Sequence, residues 1–574
     1  MVRRLLIANR GEIAVRLIQA SRELGIESVV ACTESELSSL AAELADVVAP
    51  VTSYLDVAAL VAAGARAGAD AIHPGYGFLS EDARFAEATL AAGLVWVGPP
   101  PEAMRALGDK ERARVLAERA GVPVVPGATG DDDALVAAAR ELGPPLLVKA
   151  AAGGGGRGMR AVDHLEDLQA AIADAHQEAA AAFGDDRVFL ERRIADARHV
   201  EVQILADVHG DVIHLGERDC SLQRRHQKVL EESPSPVVSA DLRARLGDAA
   251  VSVAGMAGYV GAGTVEFLLL ADGSFRFLEM NARLQVEHPV TEAVAGVDLV
   301  HAQLAIAGGE RVPRTQPDVA LRGHAIEARL YAEDPASGFL PTGGRVERLD
   351  LPRWPGVRID TALREGDVIA LDFDPLLAKV IAFAEDRSSC LRRLRAALTA
   401  TTLVGVPTNL GFLLDILDRP DVVEARVDTD WIERTWRGQP PPLPDGVGVA
   451  DPGPRDPWHV FGGARSSPGD FVVAGGWGQY RGWAYRLADD ELDPVSLAPP
   501  GGSLRAPMPA SVRNVHVAEG DRVAVGDAMV VLEAMKMQMS VRTPAAGTVA
   551  AVRVREGDLV AADQVLVEIE EDGS

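Results

Sequence analysis

Residues 511–533, SVRNVHVAEGDRVAVGDAMVVLE, recur at an offset of 37 as TVAAVRVREGDLVAADQVLVEIE, residues 548–570. Val512 falls on Val549, Val515 on Val552, Val517 on Val554, and the tripeptide EGD on EGD. Two alike β-rich halves imply a small, quasi-symmetric, flattened barrel. The hairpin that joins them contains LEAMKMQMS, residues 532–540. Its tip, Ala534-Met535-Lys536-Met537, lacks the Asn-Gly or Asp-Gly that a tight two-residue turn favours. A turn that breaks local rules is where a functional constraint is expected. An exposed lysine, with a pKa of about 10.4, is protonated and a poor nucleophile. Lys536 is therefore better suited to carrying a group than to attacking one.

Lysine is scarce throughout. Of 57 basic residues only Lys110, Lys149, Lys228, Lys379 and Lys536 are lysines. A chain that writes nearly every surface cation as arginine is expected to keep lysine where a compact ammonium or an acylatable amine is needed. Codon bias with chance survivors is the plain alternative. The formal net charge of −27 offers no broad basic field, which argues against nucleic acid or an anionic membrane as partner. Cys32, Cys220 and Cys390 lie far apart and form neither a disulfide framework nor a metal-ligand cluster, which points to a cytoplasmic setting. MVRRLLIANRGEI is too short in apolar residues for a signal-peptide core, and no run reaches the ~18 apolar residues that span a bilayer.

RRLLIA, GEIAVRLIQASRELG and ESVVACT read as a βαβ unit, so the N-terminal region is expected to be α/β with a parallel sheet. PPLLVKA, residues 144–150, reads as a strand and is followed by AAGGGGRGMR. A flexible linker, a Rossmann turn and a P-loop are all open to a Gly-rich loop, but this one lacks a following Lys-Ser/Thr and returns into MRAV, another strand. It reads as a glycine hairpin whose amides cover phosphates. Strands follow from residue 187, and CLRRLRAALTA reads as a helix. QPPPLPDGVGVADPGPRDP and LAPPGGS are linkers by composition.

In GTVEFLLLADGSFRFLEMNARLQVEHPVTE, an Asp272-Gly273 turn would pair Ala271 with Ser274, Leu268 with Phe277 and Glu266 with Glu279. Opposed carboxylates destabilise a sheet unless a cation lies between them, and oxygen ligands suit Mg²⁺ bridging ATP phosphates. Two solvated glutamates on an outer face are the alternative, disfavoured by Leu268 and Phe277 as face neighbours. If the strand continues, Glu279, Asn281, Arg283, Gln285 and Glu287 share one face. The same alternation groups His199, Glu201 and Gln203 in RHVEVQ, and Glu327 with Arg329 in HAIEARL.

The tip Ala534-Met535-Lys536-Met537 between repeated β halves resembles the biotin carboxyl carrier domain, in which that lysine is biotinylated; the related lipoyl domain usually has an Asp-Lys-Ala tip, absent here. IANRGEIAVR, HPGYGFLSE, GDK, KAAAGGGGRGM, ERDCSLQRRHQKVLEESP, EMNARLQVEHPVTE and GHAIEARL together resemble the biotin carboxylase family of the ATP-grasp fold, over about residues 1–440. With the carrier, the whole chain resembles the α subunit of a biotin-dependent acyl-CoA carboxylase. The resemblance implies that Lys110, Lys149, Glu191, His199, Gln223 and His226 contact ATP with Gly153, Gly154, Gly155, Gly156 and Gly158. It places Glu266, Glu279 and Asn281 at Mg²⁺, with Mn²⁺ as a stand-in. It places Lys228, Arg283, Gln285, the Val286 backbone and Glu287 at bicarbonate, with Glu287 as general base. Arg329 would face the biotin ureido oxygen, and Lys379 receives no role.

The resemblance further implies an α/β N-terminal domain (residues 1–112), an ATP-grasp domain with a glycine-rich lid (113–311) and a carboxylase C-terminal domain (312–440). A linker and reduced subunit-docking region (441–502) and an all-β carrier (503–574) follow. The expected activity is ATP- and bicarbonate-dependent carboxylation of biotin on Lys536, for transfer to an acetyl- or propionyl-CoA type substrate. No length remains for a carboxyltransferase, so that β subunit is expected as a separate chain. Biotin protein ligase and self-association through the carboxylase domains are the other expected partners. The enzyme alternative is a split pyruvate carboxylase; the alternative of another class is a non-catalytic biotin carrier or assembly scaffold.

Overall fold

RRLLIA and ESVVACT become the strands Arg4–Ile7 and Glu27–Cys32, paired in parallel with Leu6 beside Val29 and joined across the helix Gly11–Glu23. They belong to a five-stranded sheet in the order Val47–Pro50, Glu27–Cys32, Arg4–Ile7, Ala71–His73, Val95–Trp96, parallel throughout. Leu5, Leu6 and Ile7 are fully buried in succession, as a parallel sheet covered on both faces demands. The structure, a computed structural model, describes residues 2–152, 158–441, 471–486, 503–506, 510–534, 537–543, 545–560 and 564–571. Gly153, Gly154, Gly155, Gly156 and Lys536 lie outside the described residues.

The centre of the molecule is an eight-stranded antiparallel sheet. Its order is Phe275–Asn281, Gly261–Leu269, Arg198–Ala206, Val212–Arg224, Gln227–Ser233, His324–Tyr331, Leu376–Ala384, Val357–Thr361. Because Gln227–Ser233 pairs with His324–Tyr331, one continuous sheet spans the segments expected as the ATP-grasp and C-terminal domains. Beside it stands a four-stranded sheet, Gly127–Ala128, Val188–Arg192, Leu146–Ala150, Met159–Val162, packed on the helices Asp132–Leu142 and Leu168–Phe183. Here the glycine segment does join two antiparallel strands, with Lys149 opposite Met159. Gly158 adopts φ +66, and a Cβ there would meet the Ala150 Cβ at 2.8 Å, so both turn geometry and close approach require glycine.

Part of the stretch read as linker and docking region is ordered against the carboxylase. Phe471–Ala474, Trp477–Tyr480 and Trp483–Arg486 form a meander. Trp483 joins the core around Leu410 and Phe412, and Gln479 both accepts from Leu403 N and donates to Thr401 O.

The repeat folds into two four-stranded sheets that exchange strands. Ala510–Val515 of the first half pairs with Leu559–Val560 of the second, and Gly547–Val552 of the second with Arg522–Val523 of the first. Ten of the buried residues are repeat equivalents: Val512 and Val549, Val523 and Val560, Met529 and Leu566, Val530 and Val567, Leu532 and Ile569. The EGD tripeptides survive for a local reason. Gly520 N donates to Val549 O and Gly557 N to Val512 O, while Asp521 and Asp558 each accept from the backbone N–H three residues earlier, at 2.8 Å. The hairpin between the halves is paired up to Ala534 and Met537.

Candidate functional site

Glu266 and Glu279 are directly opposed, as expected, but by a different route. The turn is one residue longer than a two-residue hairpin: Leu269 pairs with Phe275 and Leu268 with Arg276, not with Phe277. The slip is undone by a bulge at Leu278, after which Glu266 faces Glu279, Val265 faces Met280 and Thr264 faces Asn281. The strand also stops at Asn281 rather than running on to Glu287, which instead immediately precedes the helix His288–Ala295. Arg283 nevertheless stays with its group, donating to Gln285 Oε1 at 2.7 Å and to Asn281 Oδ1 at 3.1 Å.

Cations converge on this acidic pair from three other elements, and a fourth reaches the neighbouring Glu287. Lys110, at the start of the helix Lys110–Arg119, donates to Glu279 Oε2 at 2.5 Å; its backbone N–H is tied to Ala151 O beside the glycine hairpin. His199 Nε2 lies 2.9 Å from Glu266 Oε2. Lys228 reaches Glu201 at 2.5 Å, Glu287 at 2.6 Å and Glu266 at 3.0 Å. Arg329 bridges Glu231 at 2.5 Å and Glu287 at 2.9 Å. Burial opposes the charge of Glu266, but Lys228 and His199 overcome it and hold its carboxyl below the usual carboxylate range. In the same way burial is outweighed at Glu279 by Lys110 and at Glu287 by Lys228 and Arg329. All three are thus pure acceptors near neutrality.

Ionised Glu266 and Glu279 with the amide oxygen of Asn281 form a hard oxygen donor set, which fits a small divalent cation such as Mg²⁺. Bound there, such an ion supplies charge neutralisation between carboxylates and phosphates. Glu266→Gln or Glu279→Gln is expected to raise the Mg²⁺ concentration needed for half-maximal ATP cleavage by roughly tenfold or more. Identical Mg²⁺ titrations for both variants and the parent would remove the pair from metal binding.

The remaining nucleotide candidates lie in two neighbouring places. Lys149 donates to Glu191 Oε2 at 2.8 Å across the four-stranded sheet. Gln223 sits opposite Lys228 near the end of a hairpin, whose two-residue turn is Arg225-His226, both with positive φ. Sequence reasoning missed Arg218, Glu231 and Glu81. Arg218 is fully buried and donates to Glu201, Gln203, Thr264 and Thr291. It holds the floor of the site in place. Glu81 accepts from Ala282 N and pairs with Arg283 at 3.2 Å. A run of charges inside an otherwise buried strand, GERDC, was the available signal for Arg218.

Among the described residues, no single helix is long and apolar enough to cross a membrane. Two antiparallel strands joined through a glycine-rich segment, an acidic pair met by Lys110 and Lys228, and a C-terminal β unit built from a repeat together characterise the chain. Family models match accordingly: biotin carboxylase N-terminal domain over residues 1–104, carbamoyl-phosphate synthase L chain ATP-binding domain over 109–315, biotin carboxylase C-terminal domain over 327–434, and biotin-requiring enzyme over 502–569. The chain is 40% identical to the biotin-dependent acyl-coenzyme A carboxylase alpha3 subunit of Mycobacterium leprae, covering 94% of each. It is 35% identical to the mitochondrial methylcrotonoyl-CoA carboxylase subunit alpha of Dictyostelium discoideum, covering 94% of this chain and 92% of that one. The biotin carboxylase domain dimer of Hydrogenobacter thermophilus 2-oxoglutarate carboxylase, solved with MgADP, ADP and bicarbonate, superposes with TM-score 0.74 at 41% identity, over 76% of this chain and 98% of that one. The chain belongs to the family of biotin-dependent carboxylase α subunits, with an ATP-grasp biotin carboxylase and a biotin carrier domain.

Proposed function

We propose that this chain is the α subunit of an acyl-CoA carboxylase, using Mg²⁺, ATP and bicarbonate to carboxylate biotin attached to Lys536. The carboxyl group would then pass to an acyl-CoA on a separate carboxyltransferase β subunit. The observation that carries the reading is the convergence of Lys228 on Glu201, Glu266 and Glu287, with Arg283, Gln285 and Arg329 beside them. Bicarbonate is a planar anion that a guanidinium fork can grip. A bicarbonate arriving at Lys228 and Arg283 competes with Glu287 for the ammonium, which makes Glu287 more basic as its substrate binds. Glu287 takes the bicarbonate proton, the freed oxygen attacks the γ-phosphorus, and ADP leaves, giving carboxyphosphate.

The acyl-CoA class belongs to the partner: the relatives' names include methylcrotonoyl-CoA as well as acyl-CoA generally, so the acetyl/propionyl assignment is not retained. A biotin protein ligase would load Lys536, and self-association through the carboxylase domains follows the dimer seen in the Hydrogenobacter protein. The decisive experiment is purification through the biotin, identification of the partner, and assay of bicarbonate-dependent ATP cleavage with free biotin. An acyl-CoA-binding partner with active cleavage supports the reading. A pyruvate-binding partner makes the chain part of a split pyruvate carboxylase, and absent cleavage makes it a carrier or scaffold.

The family resemblance separates Arg329, facing biotin, from Glu287, facing bicarbonate, but the structure joins them through a 2.9 Å contact. Arg329→Ala is therefore expected to lower both activities, with biotin carboxylation falling about tenfold further than ATP cleavage, because Glu287 keeps Lys228 while the ureido oxygen loses its only assigned cation. Lysine at 329 cannot restore the planar fork. Phosphate release and biotin carboxylation measured in parallel check this; equal losses would place Arg329 in the bicarbonate or nucleotide site.

A further inference from the structure

Lys379 is the lysine to which the family resemblance assigns no role, yet it is fully buried. It lies on Leu376–Ala384, directly opposite Arg329 on one side and Asp360 on the other. A buried ammonium is costly unless paired and hydrogen-bonded. Glu12 at 3.1 Å and Asp360 at 3.5 Å supply the ion pairs. Its hydrogen bond goes elsewhere: Nζ donates to the carbonyl oxygen of Val286 at 3.0 Å. The preceding carbonyl is held too, since the fully buried His288 donates from Nδ1 to Gln285 O at 2.8 Å. Burial keeps that imidazole neutral, well below its ordinary pKa, so the proton on Nδ1 is the one the contact uses.

Two buried side chains thus grip the two consecutive carbonyls that flank Val286. A planar trans peptide points its N–H opposite to its C=O, so these grips fix the directions of the Val286 and Glu287 N–H groups. Neither N–H donates to a backbone acceptor among the described residues. The same grips fix where the Glu287 side chain leaves the backbone, between Lys228 at 2.6 Å and Arg329 at 2.9 Å.

We propose that Lys379 and His288 are positioning residues for the bicarbonate end of the site, aiming the backbone N–H groups at the anion and seating Glu287 as its base. The proposal rests on the carboxylase reading above. It differs from a purely structural role in its consequence: a loosened 285–287 segment weakens use of bicarbonate while leaving ATP, held by other elements, unaffected.

The test uses the full chain and steady-state kinetics of bicarbonate-dependent ATP cleavage with free biotin. His288→Leu removes the donor, whereas His288→Asn keeps an N–H near the Nδ1 position. Lys379→Met is paired with Glu12→Gln in a double variant, so that no unpartnered carboxylate is left with the lost ammonium. For His288→Leu and the double variant, KM for bicarbonate is expected to rise about ten- to hundredfold with KM for ATP unchanged. His288→Asn is expected to recover most of the loss. Unchanged KM for bicarbonate in His288→Leu, or a parallel rise in both KM values, overturns the proposal. Should the double variant fail to fold by thermal unfolding, the Leu and Asn pair decides alone. Absence of bicarbonate-dependent cleavage in the parent protein overturns the carboxylase reading instead, and the proposal with it.

Discussion

Glu287→Gln is expected to lower bicarbonate-dependent ATP cleavage by roughly 10² to 10⁴, the usual cost of losing a general base. Gln preserves shape, and the network tolerates the lost charge. Lys228 keeps Glu201 and Glu266, and Arg329 keeps Glu231. The loss should therefore fall on the chemical step, with Mg²⁺ and ATP dependence little changed, because neither Lys110 nor Glu279 touches residue 287. The pH behaviour is a second readout. Burial raises the pKa of Glu287, but Lys228 and Arg329 pull it well below its ordinary value, so its base form persists on acidification until well below neutrality. Lowering the pH across the neutral range should not mimic the Gln variant. Phosphate release followed with saturating ATP, with and without bicarbonate, measures this directly. A Gln variant within twofold of the parent would remove Glu287 from the proton transfer.

The candidate site was legible wherever one strand or one hairpin carried it. Period-two alternation placed His199, Glu201 and Gln203 together, and Arg218 and Glu266 confirm that face by binding them. The hairpin arithmetic reached the right pair, Glu266 with Glu279, although it missed both the longer turn and the bulge at Leu278, two one-residue errors of opposite sign. What could not be read was register between strands distant in sequence. The Glu231 and Glu327 pair and the Arg329 and Lys379 pair depend on crossings of the central sheet, and nothing local specifies them. Arg218 was hidden for the same reason, since its partners Thr264 and Thr291 lie on other elements. The carrier was legible almost in full because its halves are one sequence written twice, though the exchange of short strands between its sheets was not.

Lys536→Arg is expected to abolish biotin attachment, and with it any carboxylation that proceeds through the chain's own carrier. The carrier supplies a two-sheet body in which most buried residues are paired across the repeat, and its central hairpin is laddered from Ala528 with Arg542 to Ala534 with Met537. The ladder ends at Ala534 with Met537, the two residues that flank Met535 and Lys536 in the chain. Arginine retains the positive charge and much of the length, but a guanidinium stays protonated and does not acylate. A charge-dependent role for this residue would therefore survive the substitution, whereas an acyl-carrying role would not. The carboxylase half lies on separate elements, so ATP cleavage with free biotin should continue at the parent rate. Intact mass and streptavidin capture from cells that contain a biotin ligase read the attachment, and the free-biotin assay reads the carboxylase. A Lys536→Arg protein still captured by streptavidin would move the biotin to another lysine. The other four, Lys110, Lys149, Lys228 and Lys379, are each engaged in an ion pair, which makes each a poorer acylation site than an unpaired amine.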